Sequence, residues 1–209
     1  MNIEKISLKA GILYLVLVIP GILAFLLIPD IILSKDDPNS YIKDNRLLIF
    51  AWIGLDLVII TIEIYLTIYL KKLFDRKNQT LSMVAFVTRW MVIVVMFVNV
   101  FFLVSLLLGD LSTASDYVNL HLDGTYVWQV FFSVHVFALG YMVKRYLNTN
   151  WQYLGYILML GALGYFLDTI QYFFITDNQI FSSIVSFLLV FVTLGEIGMA
   201  FALIRKKVL

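Results

Sequence analysis

Six apolar runs dominate the chain, at about Leu8–Ile28, Arg46–Leu70, Leu81–Leu108, Gly124–Val143, Asn150–Phe174 and Ile180–Ile204. Each is near or above the roughly 20 residues that a helix rising about 1.5 Å per residue needs to cross about 30 Å of hydrocarbon. In lipid every backbone N–H and C=O must be satisfied internally, which leaves helices and closed barrels. Barrel strands would alternate with a period of two, and these runs do not. The expected fold is therefore all-α: a polytopic bundle of six transmembrane helices forming one domain over residues 1–209. Composition agrees, with 62% hydrophobic and only 14% charged residues and a mean hydropathy of +0.94. Soluble domains carry roughly 25% charged residues. The first run is too long for a signal-peptide core and lacks a small-residue cleavage site, so it reads as a retained helix, bent at Pro20-Gly21.

Basic residues set the expected orientation. Lys5 and Lys9 precede the first helix. Lys71, Lys72, Arg76 and Lys77 follow the second, Lys144 and Arg145 the fourth, and Arg205, Lys206 and Lys207 the sixth. Eleven of the 15 basic residues thus share one side. The positive-inside rule places both termini in the cytoplasm. The outer loops Pro29–Asn45 and Gly109–Asp123 contain Asp37-Pro38-Asn39-Ser40 and Ser112-Thr113-Ala114-Ser115, which read as turns.

Inside the spans lie Arg89 and four acids, Asp56, Glu63, Asp168 and Glu196, together with His135. A charge near a helix centre costs about 2.5–3.5 kcal/mol on insertion scales, so these side chains should face protein or water. Counting residues from the helix ends puts Glu63, Arg89, His135 and Glu196 in one layer, about 10–12 Å deep. Asp56 and Asp168 lie nearer the outer face, with Gln129 and Gln171. Arg89 is expected to pair with Glu63 or Glu196. The alternatives are an arginine that snorkels to the headgroups and an ion pair that only fixes helix register. Gly155, Gly161, Gly164, Gly195 and Gly198 are expected at close helix approaches.

Several chemistries find no support. There are no cysteines for disulfides or thiolate sites. His121 and His135, fourteen residues apart, are about 21 Å apart on one helix, too far to share a haem iron. No glycine-rich phosphate loop, H-E-x-x-H or serine–histidine pair at recognisable spacing occurs. One intramembrane arginine is too few for a voltage sensor. A net charge of +1 without a basic tract gives no reason to expect nucleic acid. Neither a cofactor nor a metal site is indicated, and nothing fixes an oligomeric state.

"WQVFFSVHVFALGYMVKRYLNTNWQYLGYILMLGALGYFLD" (Trp128 to Asp168) and "TLGEIGMAFALIRK" (Thr193 to Lys206) resemble the DUF4386 family of prokaryotic six-helix membrane proteins. "KAGILYLVLVIPGILA" near the N-terminus and "LSMVAFVTRW" before the third helix resemble it as well. On that resemblance the family-pattern positions are Arg89, His135, Gly140, Tyr141, Gly164, Asp168, Gly195 and Glu196. Family members commonly carry a Glu three residues after the arginine. Here that position is Val92, so this arginine must find its carboxylate on another helix. The resemblance implies the six-helix fold and a place in a prokaryotic cytoplasmic membrane, and it implies no activity.

Arg89, Glu63, His135, Glu196, Asp168, Asp56, Tyr141, Gln129 and Gln171 form the candidate buried polar cluster. Its first reading is a binding or transport site for a small molecule, with Arg89 holding an anionic group, Glu63 and Glu196 balancing its charge and His135 responding to protons. The second is a membrane enzyme acting on lipid, with Glu196 or Asp168 as acid or base and His135 as partner. The third is a non-catalytic interaction subunit. The expected partners are the lipid bilayer and a small-molecule or lipid ligand.

Overall fold

The computed structural model describes residues 2–109, 114–147, 151–175 and 177–205. The chain runs through α1 (Ile3–Ile22), a π-helical turn (Leu23–Leu27), α2 (Ile28–Leu33), α3 (Pro38–Asp44), α4 (Arg46–Phe74), α5 (Gln79–Leu108), α6 (Ala114–Tyr146), α7 (Gln152–Phe174) and α8 (Gln179–Ile204). The π turn joins α1 and α2 into one continuous span, Ile3–Leu33, and with α4 to α8 this makes six helices long and apolar enough to cross a membrane. The protein is a multi-pass membrane protein with an all-α fold.

Local chemistry sets the ends. Asn78 caps α5 by accepting the Leu81 N–H, and Asn178 caps α8 by accepting that of Phe181. Only four residues, 75–78, join α4 to α5, so the two helices must lie antiparallel side by side. Pro20 lacks the N–H that would bond one turn back, and the π turn begins three residues later. There the Ile28 N–H reaches the Leu23 carbonyl, so the helix continues by local rewinding.

Two segments read from the sequence as outer loops are partly helical. Asp37-Pro38-Asn39-Ser40 opens α3, with Asp37 capping the Ser40 N–H and Pro38 at the first helical position. The stretch from Ala114 to Asp123 is helical, which makes α6 about ten residues longer than the run Gly124–Val143 suggested. Ser112 and Thr113 lie outside the described residues, whereas Ala114 and Ser115 start the helix. The Ser115 N–H donates to the Asn39 carboxamide at 2.8 Å, fastening α3 to the start of α6.

Neighbours in sequence are neighbours in space: α1 packs on α4, α4 on α5, α5 on α6, α6 on α7 and α7 on α8, while α8 returns to α1. The six spans therefore close into a ring. Its outward surface is apolar, with Ile19, Phe50, Phe101, Phe137 and Phe187 all exposed, as a lipid-facing surface requires. Seams between helices use small residues. A Cβ on Gly155 of α7 would stand 2.5 Å from the Gly140 carbonyl oxygen of α6, so backbone meets backbone there.

Candidate functional site

The ring brings the polar side chains inward in two layers. The first is centred on Arg89, which is 0% exposed. Glu63, Arg89, His135 and Tyr14 stand ten or eleven residues from the basic ends of α4, α5, α6 and α1, roughly 15 Å in, near the middle of the hydrocarbon. Arg89 Nε donates to Glu63 Oε2 at 2.5 Å. Its Nη1 donates to the Tyr14 hydroxyl at 3.2 Å and to His135 Nε2 at 2.8 Å. The guanidinium also lies 5.5 Å from the ring centroids of Tyr14 and Phe132, between two aromatic faces.

An arginine has five N–H groups and no acceptor. Three are engaged, while Nη2 is buried with no hydrogen-bond partner among the described residues. Glu196 on α8 interacts electrostatically with Arg89, Glu63 and Tyr14. It is half-buried, and no hydrogen bond or salt bridge reaches it from the described residues. The arginine's ion-pair partner is thus Glu63, and Glu196 acts on the pair electrostatically without a salt bridge to it.

His135 has a fixed tautomer. Its Nδ1 lies 2.7 Å from the Ala85 carbonyl oxygen, which can only accept, so Nδ1 carries the hydrogen. Its Nε2 faces an arginine N–H, which can only donate, so Nε2 is the acceptor. The imidazole is neutral, and a second proton on Nε2 would confront the guanidinium. The expected proton-responsive role of His135 therefore does not fit its surroundings. A void of about 10 Å³, room for about one water, lies beside His135 toward Lys71, with Thr67 and Ser82 in its wall.

The second layer lies toward the other end of the ring. His121 Nε2 and Asp56 Oδ2 are 2.8 Å apart, both side chains buried. The Trp52 ring meets the His121 ring edge-on at 4.7 Å. Asn99 of α5 donates to the His121 carbonyl at 3.1 Å, and Thr125 donates to the same oxygen. Trp52 Nε1, Asp56 Oδ1, Asn99 Oδ1 and His121 Nδ1 are buried without a hydrogen-bond partner among the described residues.

The remaining candidates separate. Asp168, half-buried on α7, interacts with Gln129 of α6. The side-chain oxygens of Gln129 and Gln171 are buried without a hydrogen-bond partner among the described residues. Tyr141 belongs to neither layer: it is 43% exposed on the outward face of α6, two positions removed from the inward-facing Leu139.

Sequence reasoning had not placed Tyr14, Phe132, Asn99 or His121 in the site. For His121 a signal was present, because Ala114, Val118, His121, Thr125 and Trp128 recur at helical spacing and all are buried. Tyr14 and Asn99 offered only a polar group in an apolar run, and Phe132 nothing that sets it apart from other aromatics.

Fold and site together define a six-helix membrane bundle with a polar interior built around one buried arginine. The chain belongs to the family described as domain of unknown function DUF4386, whose family model matches residues 9–206. No curated protein and no solved structure matches it.

Proposed function

We propose that this protein binds or transports a small polar molecule in the layer formed by Arg89, Glu63, Tyr14, His135 and Glu196. The observation that carries the reading is the pairing of unused capacity: the two N–H donors of Arg89 Nη2 have no hydrogen-bond partner among the described residues, and the Glu196 carboxyl, which interacts electrostatically with Arg89, has none there either. A buried donor without a partner costs about 1–3 kcal/mol, more when charged, and a ligand acceptor recovers that loss. Glu63 already balances the charge of Arg89, and Glu196 would repel an anion. The preferred ligand is accordingly neutral and dipolar, with an acceptor for Nη2 and a donor for Glu196, rather than a plain anion.

The test is a thermal-stability screen of small polar metabolites on the detergent-purified protein, followed by uptake into proteoliposomes. Compounds that stabilise the wild type should lose most of their effect in Glu196→Gln. Hits that stabilise both proteins equally would move the site elsewhere. A bundle stabilised by none of them, with no uptake, would leave the buried charges to fix helix register.

A further inference from the structure

Away from the polar interior, α6 and α7 enclose a groove of about 570 Å³ on their outward side. Val134 and Phe137 form one wall, Leu160, Leu163 and Phe166 the other, and all five are exposed. Buried Ala162 contributes to its lining, and the Ser133 hydroxyl there is already bonded to the Val130 carbonyl, so the groove presents little polarity along its length. From Tyr156 to Phe166 it follows ten residues of α7, about 15 Å, which is half the thickness of the hydrocarbon core. The groove is therefore as long as one leaflet.

Its two ends differ. Tyr156 lines one end, and the Lys144 ammonium lies 4.4 Å from the centre of that ring. Arg145 follows, exposed, in the last turn of α6. These cations share a side of the bundle with Lys71 and Lys72 at the end of α4. A slot between two adjacent helices suits an extended hydrocarbon chain better than a partner helix, which is about 10–12 Å across with its side chains. Basic positions at a helix end attract anionic headgroups near the membrane surface.

We infer that the α6–α7 groove binds an anionic phospholipid, with one acyl chain between Val134, Phe137, Leu160 and Leu163 and the headgroup phosphate at Lys144 and Arg145. The site shares no residue with the interior layer, so either proposal can fail alone.

Thermal stability of the purified protein is measured with added phosphatidylglycerol and, separately, phosphatidylcholine. The wild type should be stabilised more by the anionic lipid. Lys144→Gln should lose that preference, and Leu163→Trp, which fills the groove, should respond less to both lipids. Lys9→Gln, a basic change on α1, should behave as wild type. Equal shifts for the two lipids in the wild type, or a preference that survives Lys144→Gln, would overturn the site. A photoreactive phosphatidylglycerol on the unaltered chain gives a second reading that depends on no variant. It should label the segment around Met159, and label spread evenly over the apolar surface, or displaced by self-association of the chain, refutes the proposal.

Discussion

Arg89 Nη1 donates to His135 Nε2 at 2.8 Å, and that bond determines the chemistry of the histidine. With Nδ1 held by the Ala85 carbonyl, both ring nitrogens are committed and the ring is neutral. Nitrogen-15 NMR of the labelled protein in bilayers should find Nδ1 protonated and Nε2 bare. A His135 ring with its single hydrogen on Nε2 would refute the assigned tautomer.

The Arg89–Glu63 pair is buried on both sides. Removing one partner of such a pair typically costs about 3–5 kcal/mol, because the other charge is left in low dielectric. Arg89→Met and Glu63→Gln should each lower the melting temperature in detergent sharply, and the double variant should lose less than the two losses added. Glu196→Gln combined with Arg89→Met should couple more weakly, since no salt bridge joins those two. Additive effects for Arg89 and Glu63, with Arg89→Met harmless, would mean that the arginine reaches the headgroups instead.

Depth along each helix was legible in the residue count, which is why Arg89, Glu63, His135 and Glu196 could be assigned one layer from sequence. Choosing between Glu63 and Glu196 required knowing which helices touch. In the ring α5 adjoins α4 and α6, while α8 adjoins α7 and α1, so Glu63 has the neighbouring position. Helix order around a bundle is a tertiary property that a hydropathy profile does not carry. The same limit misplaced Tyr141, whose family-pattern position says nothing about the direction in which α6 presents it. His121 was hidden for a different reason. Asp116 and Asp123, close to Gly124, make its surroundings look like a loop, although the buried positions keep helical spacing through them. Polar composition outweighed periodicity, and periodicity was the truer signal.

Asp56 and His121 supply the next expectation. Asp56→Ala removes the acceptor facing His121 Nε2 and leaves a buried ring nitrogen unpaired, a loss of about 1–3 kcal/mol. Asp56→Asn keeps an oxygen for the same bond and should cost less. Melting curves of the two variants in one detergent measure the difference. If Asn proves as damaging as Ala, carboxylate charge rather than hydrogen bonding holds the pair.

The α6–α7 seam allows no side chain at Gly155, where a Cβ would also stand 2.5 Å from the Lys144 backbone nitrogen. Overpacking a closed contact costs about 1–3 kcal/mol. Gly155→Val should therefore destabilise the bundle by at least that much, whereas Gly54→Val, at a position with nothing near its missing Cβ, should cost far less. Similar melting temperatures for the two variants would show that the seam is looser than its backbone contact implies.

Orientation is the last expectation, and it rests on charge. The ends of α4 and α6 carry Lys71, Lys72, Lys144 and Arg145, and Lys5 and Lys9 sit in the first turns of α1. Basic residues near the ends of spans resist translocation, so this side should face the cytoplasm. The chain has no cysteine of its own, which leaves an introduced thiol as the sole reactive site. Ser40, exposed in the first turn of α3, and Gln79, exposed in the first turn of α5, mark opposite ends of the bundle. Ser40→Cys should react with an impermeant thiol reagent in intact cells, and Gln79→Cys only after permeabilisation. The reverse pattern would invert the bundle. It would also place Lys144 and the lipid groove in the outer leaflet, where anionic headgroups are no longer the expected neighbours.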